Sequence, residues 1–240
     1  MLEVAELTKK FSGITAISNI QFSIEPGKIV GLVGPNGAGK TTLFNLISAV
    51  AKPTQGELKF NGATIVGLKP HQVCRLGIAR TFQDPRTFPA LTAAEFVGVA
   101  ATFGSHEKLT QAQTREKARE LLSFMALSEE TDAPSRQLSA AKRRRLEIAA
   151  ALATRPKLLL LDEPIAGLNP VEMQSVMEII RRIRGEMGIT VFWIEHVMRA
   201  LMEVVDRVIV LHHGAKIAEG LPRELYQNQK VLDAYLGEGI

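Results

Sequence analysis

Residues 34–42, which read GPNGAGKTT, constrain this chain more than any other stretch. They match the pattern G-x-x-x-x-G-K-[ST], in which glycines let successive backbone N–H groups face a polyphosphate with no Cβ in the way. Lys40 brings a positive charge to the β- and γ-phosphates, and the Thr41 hydroxyl completes the coordination of Mg²⁺. The apolar run 29–33 predicts a buried strand before the loop, and 42–48 predicts a helix after it, which disfavours a glycine-rich turn that binds nothing.

Composition excludes several classes of protein. The chain has 240 residues, 46% of them hydrophobic and 22% charged, which indicates a globular protein with a substantial core. Cys74 is the single cysteine, so no internal disulfide is expected. We expect neither a secretory signal nor a membrane span, because no run approaches 18 apolar residues. The net charge of +4 permits contact with acidic lipid or nucleic acid without requiring it.

The first 65 residues predict antiparallel strands. Residues 2–7 and 17–24 alternate between apolar and polar, with a turn at 10–13. Phe11 lies in that turn, where its ring can stack on a flat base or plug the end of a hairpin, and the sequence leaves both open. The Asn61-Gly62 pair predicts a second hairpin within 56–65.

The apolar run 158–161 predicts a central parallel strand that ends in two carboxylates. Ligands of α/β sheets collect at the carboxyl ends of such strands, so Asp162 is positioned to bind Mg²⁺. Glu163 faces the other way in an extended chain and can take a proton from the water that attacks the γ-phosphate. Two acids that cap a following helix are the alternative, which the intact phosphate loop disfavours.

Two further predicted strands end in polar side chains. Gln83 follows the strand 78–82 and can reach both the metal and the attacking water, although many glutamines in such places only cap or contact solvent. His196 follows the strand 189–194, where a neutral imidazole can bond to the γ-phosphate and hold Glu163 and the water in line. A lone histidine is more often structural, so the placement at a strand end carries this assignment.

Residues 91–153 differ from the rest because they are alanine-rich and helix-forming, which predicts an inserted helical subdomain. Its helix 114–127 presents one apolar stripe, formed by Ala118, Leu121, Leu122 and Met125. A second helix follows Ser139 and carries the basic run 142–145, for which a solvated helix face is favoured over a nucleic-acid patch. Beyond the insertion, we expect a long helix at 171–184, a hairpin at 208–217 and a closing helix at 222–236.

Taken in order, these motifs resemble the nucleotide-binding subunit of ATP-binding-cassette (ABC) transporters over essentially the whole chain. The resemblance rests on Phe11, GPNGAGKTT, Gln83, the helical insertion, LSAAKRRRLEIAAAL, LLLLDEP, Gly167-Leu168-Asn169 and His196. The segments RTFQDPRTF, RRLEIA, DEPIAGLNP, the IEH strand end and AYLGEG look like the larger ATPase subunit of branched-chain amino-acid importers.

This resemblance implies an α/β fold with a P-loop NTPase (RecA-like) core, an antiparallel β-subdomain and an inserted α-helical subdomain. A single domain would span 1–240, with the core and β-subdomain in 1–84 and 155–240 and the insertion in 85–154. It implies ATP and Mg²⁺ as cofactors, Glu163, Gln83 and His196 as catalytic residues, and Thr41, Gln83 and Asp162 as metal ligands. The implied ATP contacts are Phe11, Gly34, Pro35, Asn36, Gly37, Ala38, Gly39, Lys40, Thr41 and Thr42.

The resemblance also implies partners. A second ATPase subunit would pair head to tail with this one and receive the signature residues Ser139, Ala140 and Ala141 against its own ATP. Two membrane-spanning permease subunits would contact the groove near residues 83–88 at the cytoplasmic face, and a solute-binding protein would act indirectly. No nucleic acid is expected.

The sequence departs from the family pattern in two places. Ala141 and Lys142 replace a glycine and a glutamine of the usual LSGGQ signature, and alanine would be disallowed if φ is positive there. Asn169 stands where many relatives have aspartate. These departures suggest a heterodimer in which this chain keeps a full catalytic set but gives its partner a weakened signature.

Three alternatives stay open at this stage. A soluble mechanical ATPase that acts on nucleic acid or ribosomes would share the phosphate chemistry, although such proteins usually carry two cassettes in one chain. A nucleotide-binding regulator without hydrolysis is suggested only by the altered signature. An importer of a related solute, such as urea or short amides, would look much the same.

Overall fold

The computed structural model describes residues 1–104, 108–196 and 198–236, so the last letters of AYLGEG, residues 237–239, lie outside it. In chain order the strands are β1 (Leu2–Phe11), β2 (Ile14–Ile24), β3 (Ile29–Val33), β4 (Gln55–Phe60), β5 (Ala63–Thr64), β6 (Ile78–Arg80), β7 (Leu158–Asp162), β8 (Thr190–Ile194), β9 (Arg207–His212) and β10 (Ala215–Gly220). The α-helices are α1 (Lys40–Ile47), α2 (Pro70–Leu76), α3 (Ala93–Phe103), α4 (Gln111–Phe124), α5 (Ala140–Ala153), α6 (Pro170–Met187), α7 (Met198–Met202), α8 (Pro222–Leu225) and α9 (Gln229–Leu236). Over these ranges, none of the helices combines the length and the apolar character that crossing a membrane would need.

A six-stranded sheet in the order β10-β9-β3-β8-β7-β6 forms the centre of the molecule. Its strands run parallel except β10, which pairs antiparallel with β9. Every residue of β3, β7 and β8 is buried, as expected for strands covered on both faces. Because these strands are parallel, their carboxyl ends meet at one edge of the sheet.

Alternate residues of the central strands enter two hydrophobic cores. Leu160 and Phe192 enter the core that α1 and a four-stranded antiparallel sheet, in the order β2-β1-β4-β5, complete. Leu159 and Trp193 enter the second core, with helices α3, α4, α5 and α6. This architecture agrees with the predicted α/β core and antiparallel β-subdomain.

Helices α3, α4 and α5 lie between β6 and β7 in the chain and form the predicted helical insertion. The hydroxyls of Thr92, Thr110 and Ser139 accept hydrogen bonds from backbone N–H groups of the first turns, which fixes where the three helices begin. All four residues of the predicted stripe on α4 and its end are buried. The boundaries 85–154 stay a prediction, and the three helices fall within them.

Several element ends differ from the predictions for local reasons. Helix α1 begins at Lys40 and not at residue 42, because Gly39, with φ of 101°, turns the chain directly into the helix. Strand β6 ends at Arg80, two residues earlier than expected. The closing helix is split into α8 and α9, because the Asn228 side chain accepts from the Lys230 N–H at 3.0 Å and starts a new helix.

The predicted solvated face of residues 142–145 holds only in part: Lys142, Arg143 and Arg145 are partly exposed and Arg144 is buried, while each basic side chain also has a partner within the protein. Lys142 pairs with Glu130, and Arg143 Nη1 donates to the Leu138 carbonyl at 2.7 Å. Arg145 Nη1 reaches the Met125 carbonyl at 3.5 Å. The remaining residue, Arg144, is buried and contacts backbone carbonyls of residues 82 and 83. These contacts also disfavour a nucleic-acid patch.

Candidate active site

The loop of residues 34–42 leaves β3 at the carboxyl edge of the sheet and enters α1. Two of its glycines have no room for a side chain. A Cβ on Gly34 would lie 2.1 Å from the Leu211 carbonyl oxygen. A Cβ on Gly39 would lie 2.6 Å from the Ala16 carbonyl oxygen, and its φ of 101° is one that L-residues rarely adopt. The loop can therefore pack this closely against neighbouring backbone only with glycine at both positions.

A cavity of about 250 Å³ lies over this loop. It brings the loop together with Gln83, Glu163 and His196, the residues predicted at three strand ends. Ala16, at its wall, was not foreseen from the sequence. The loop contributes Asn36, Gly37, Ala38, Gly39, Lys40, Thr41 and Thr42.

Lys40 is buried at the start of α1, and its ammonium lies against the beginning of the loop. Its Nζ donates to the Gly34 carbonyl at 2.6 Å and to the Pro35 carbonyl at 2.9 Å. Both acceptors are neutral, and the positive charge of Lys40 also acts on Asp162, whose pKa it lowers. Lys40 thus brings a cationic group to the phosphate loop, as its place in the motif predicted.

The Glu163 carboxylate is the meeting point of the three strand ends. Its Oε2 accepts from Gln83 Nε2 at 3.0 Å, and its Oε1 contacts His196 Nε2, an ion pair when the imidazole is protonated. Glu163 is buried, whereas His196 is partly exposed at the cavity. The expectation that Glu163 continues an extended chain is wrong: β7 ends at Asp162, and Glu163 has φ of 51°, with its N–H bonded to the Ile194 carbonyl at 3.0 Å.

Asp162 is paired with Arg80, a contact that no sequence pattern predicted. Its Oδ2 lies 2.9 Å from Arg80 Nη2, and both side chains are almost fully buried. Arg80 Nη1 also donates to Asn45 Oδ1 at 2.6 Å and to Ser48 Oγ at 3.1 Å. Burial raises the pKa of Asp162, and the Arg80 guanidinium opposes that rise.

The second carboxylate oxygen of Asp162 fits a metal ligand. Oδ1 is buried and has no hydrogen-bond partner among the described residues. An unpaired buried carboxylate oxygen is costly unless a ligand satisfies it. Mg²⁺ takes oxygen ligands such as carboxylates, and Thr41, a residue of the phosphate loop, lines the cavity, whereas Asp162 is not among its lining residues. The donor set is therefore of the type that Mg²⁺ prefers.

The predicted signature residues lie apart from this cavity, at the beginning of α5. Ser139 and Ala140 are exposed, and Ser139 Oγ accepts from the Lys142 N–H at 3.3 Å. Ala141 is buried in the first turn and is not among the residues with positive φ. The predicted backbone conflict for alanine at this position therefore does not arise.

Phe11 and Asn169 also lie outside the cavity lining. Phe11 ends β1 with 47% of its surface exposed, and Lys9 Nζ lies 4.6 Å from the centre of its ring. The stacking of Phe11 on a base stays a prediction. The Asn169 side chain accepts from the N–H groups of Val171 and Glu172, both at 3.0 Å, and so caps α6.

Tyr235, near the end of α9, lies close to the backbone of Gly34, the first residue of the phosphate loop. Burial raises the pKa of Tyr235 to about 12, and the Gly34 backbone opposes that rise. The sequence signal was the segment AYLGEG, which entered only as part of the family resemblance. Tyr235 and Gly34 are 201 positions apart, so no local pattern could reveal that they are neighbours.

Comparison with known proteins agrees with this geometry. A sequence profile described as ABC transporter matches residues 17–166. The chain is 37% identical to the high-affinity branched-chain amino acid transport ATP-binding protein BraF of Pseudomonas aeruginosa, over 99% of this chain and 98% of that protein. It is 36% identical, over the same shares, to the protein of the same description named LivG in Escherichia coli K12.

Solved structures with similar folds hold the products of ATP hydrolysis. The ADP conformation of MJ1267, an ATP-binding cassette of an ABC transporter, aligns with a TM-score of 0.89 at 29% identity, over 99% of this chain and 98% of that one. The dimeric post-hydrolysis state of the ATP-binding cassette MJ0796, bound to ADP and Pi, aligns with a TM-score of 0.84 at 28% identity, over 93% and 99%.

Proposed function

Because this chain belongs to the ABC transporter family, we propose that it is the ATP-binding and ATP-hydrolysing subunit of an importer for branched-chain, hydrophobic amino acids. The observation that carries the proposal is the cavity in which Gln83, Glu163 and His196 face the phosphate loop. A loop of this kind binds a triphosphate, and a carboxylate opposite it can activate water.

ATP binding would rest on the backbone amides of residues 34–42. Lys40 would exchange its two carbonyl acceptors for oxygens of the β- and γ-phosphates, which carry charge and bind an ammonium more strongly. Thr42 would help to hold the phosphates near the beginning of α1, where the helix dipole favours an anion. Phe11, exposed at the end of β1, would stack on adenine.

Thr41, Asp162 and Gln83 would hold Mg²⁺. The ion would neutralise charge that develops on the phosphate oxygens. Asp162 must be ionised to serve as a ligand, and Arg80 favours that form by opposing part of the rise in pKa that burial causes.

Hydrolysis would use Glu163 as the general base. Its carboxylate takes a proton from the water that attacks the γ-phosphate, and the products are ADP and phosphate. Gln83 Nε2 and His196 Nε2 both contact this carboxylate, so they fix its orientation before substrate enters. The Glu163 carboxylate and the attacking water would thereby be held in line. Gln83 and His196 would then contribute to the rate by positioning Glu163 more than by adding charge.

Transport would require partners. The dimeric structure of MJ0796 supports pairing with a second ATPase subunit. The altered signature of this chain favours a heterodimer. Ser139 and Ala140, which are exposed, and the buried Ala141 lie at the beginning of α5 and would face the partner's ATP. Two permease subunits would place this chain at the cytoplasmic face of the membrane, with a solute-binding protein acting through them.

The heterodimer proposal has its own test. Single-turnover hydrolysis would be measured on the reconstituted pair, with the phosphate-loop lysine of each subunit replaced in turn. We expect Lys40→Ala to cause the larger loss, because this chain's own ATP site carries the complete set. Equal losses would argue against the asymmetry.

The nature of the solute rests on the names of BraF and LivG. A related solute, such as urea or short amides, remains the alternative within transport. A nucleic-acid ATPase is disfavoured because residues 142–145 make contacts inside the protein. Isolation of the membrane proteins that co-purify with this chain distinguishes these functions, and ATPase stimulation by nucleic acid alone would contradict transport.

The ATPase mechanism is tested by two substitutions. Glu163→Gln should retain Mg-ATP binding in calorimetry and lose turnover by about 100-fold or more, because the amide cannot accept the proton. Lys40→Ala should lose binding itself. Glu178→Gln, which changes an exposed acid on α6, is the matched control and should behave like the parent. Unchanged steady-state hydrolysis in Glu163→Gln would remove Glu163 from the mechanism.

A further inference from the structure

The loop that carries Gln83 has almost no regular structure of its own. Residues 81–88 form neither helix nor strand. Within the described part of the chain, no backbone–backbone hydrogen bond holds residues 82–87; those on either side join the Thr81 N–H to the Leu160 carbonyl and the Leu91 N–H to the Phe88 carbonyl. Nevertheless Gln83 Nε2 is held 3.0 Å from the Glu163 carboxylate. Something else must fix the backbone of this loop.

Two side chains of α5 provide that support. Arg144 Nη1 donates to the Phe82 carbonyl at 3.0 Å and also to the Gln83 carbonyl. Glu147 Oε1 accepts from the Phe82 N–H at 3.1 Å and from the Arg86 N–H at 3.5 Å. The two residues are three apart on α5, so they lie on one face of the helix. Between them they bind both donors and acceptors of the loop backbone.

Because Glu147 is buried, its carboxylate is a poor choice for a residue that only stabilises the fold. The residue is 6% exposed, and its Oε2 has no hydrogen-bond partner among the described residues. A buried carboxylate with one unsatisfied oxygen opposes folding, and an apolar side chain would avoid that cost. An apolar side chain, however, could not accept from the two amides of the loop.

We propose that Arg144 and Glu147 are positioning residues that hold the Gln83 loop rigidly on α5 and thereby orient Gln83 toward Glu163. The catalytic consequence of this inference rests on the proposed function. The contacts of Arg144 and Glu147 with the loop backbone, which we call the clamp, do not depend on it. Helix α5 begins at Ala140, directly after its cap Ser139, in the segment proposed to face the partner's ATP. The loop of one ATP site and the signature of the other would therefore move as one body.

The test compares three variants of the full chain, co-purified with its partner subunits. Glu147→Ala removes the acceptor and should lower kcat for ATP about 10- to 100-fold with little change in KM, because the phosphate loop is untouched. Glu147→Gln keeps an amide oxygen that can accept from both N–H groups and should stay within about threefold of the parent. Arg145→Ala, one residue from Arg144 but directed at Met125, is the matched control and should leave kcat unchanged.

A double substitution separates positioning from general destabilisation. In a Gln83→Ala background, Glu147→Ala should lower kcat by less than about twofold further, because its effect passes through Gln83. If Glu147→Ala does not fold, Glu147→Asp gives the same comparison, since it keeps the charge but withdraws the oxygen by one methylene. Independent, multiplicative losses in kcat would overturn the proposal.

Hydrogen exchange of the loop amides measures the clamp independently of ATP hydrolysis. Glu147→Ala should speed exchange of the Phe82 and Arg86 amides at least about tenfold while the helical insertion keeps its protection, and Glu147→Gln should not. Unchanged exchange at these two amides would refute the clamp even in an active enzyme. A parent that shows the predicted exchange pattern but does not hydrolyse ATP would refute the proposed function and leave the clamp standing.

Discussion

We expect the burial of Glu147 to make the free energy of unfolding depend on pH, and Glu147→Gln should remove that dependence. Burial raises the pKa of its carboxyl from 4.5 to about 7, against the opposing effects of the Phe82 and Arg86 amides and of the positive charges on Arg144 and Arg86. The folded protein therefore binds this proton more tightly than the unfolded chain does. Its free energy of unfolding should fall as the pH rises from about 4.5 to about 7, and the contribution should be fully present only below that interval.

The size of the effect follows from the change in pKa. A rise from 4.5 to about 7 corresponds to roughly 3 kcal/mol, at about 1.4 kcal/mol for each tenfold change in proton affinity. Glu147→Gln cannot titrate and lacks this dependence. Between pH 5 and pH 8, the stability of the variant relative to the parent should therefore increase by roughly 2 to 3 kcal/mol.

Urea-induced unfolding followed by Trp193 fluorescence measures this difference. Trp193 is the single tryptophan, and it is fully buried in β8. Other groups titrate in both proteins and cancel in the comparison. The introduced amide leaves a buried N–H group without an acceptor, which costs about 1–3 kcal/mol but does not vary with pH. The slope of the difference, and not its value at one pH, is thus the decisive quantity.

A difference in stability between Glu147→Gln and the parent that does not vary with pH would refute this reasoning. If the relative stability of Glu147→Gln changed by less than about 0.5 kcal/mol between pH 5 and pH 8, Glu147 would be ionised throughout and effectively solvated or paired. Arg145→Ala serves as the matched control, because it alters a charge on α5 outside the Glu147 contacts. Its stability relative to the parent should not depend on pH over this range.

Two further predictions concern the phosphate loop. Gly39→Ala should weaken Mg-ATP binding at least about tenfold in calorimetry, because the added Cβ would meet the Ala16 carbonyl at 2.6 Å, whereas Gly185→Ala, which meets nothing within 4 Å, should bind like the parent. Tyr235→Phe removes the hydroxyl on which the Gly34 backbone acts and should weaken ATP binding by roughly fivefold with the fold intact; identical affinities would exclude a role for that hydroxyl.

Local patterns predicted the parts of the site that depend on few neighbours. The phosphate loop follows from its glycines and lysine, since the backbone conformation they require is set within nine residues. Gln83, Glu163 and His196 were each predicted at the end of a strand, and the structure brings the three together because β6, β7 and β8 are parallel. Parallel strands bring their carboxyl ends to one edge, so their following residues meet there.

Contacts between distant segments were not predictable in the same way. Arg80 and Asp162 pair across 82 positions, and nothing in either local sequence specifies the other. The run 142–145 has the composition of a solvated face, yet the packing of α5 against the loop after β6 gives its members internal partners. Composition reports how polar a side chain is, but only the fold determines whether its partner is water.

The three residues that depart from the family pattern fit their local structure, which excludes one way in which they could affect function. Ala141 lies within the first turn of α5 without positive φ, Lys142 pairs with Glu130, and Asn169 caps α6 with two hydrogen bonds. None of the three therefore distorts the backbone that carries it. Any weakening of the partner's ATP site must then arise from direct contact with the nucleotide or across the dimer. An asymmetry of that kind would appear in turnover of the assembled pair while the fold of this subunit stayed unchanged.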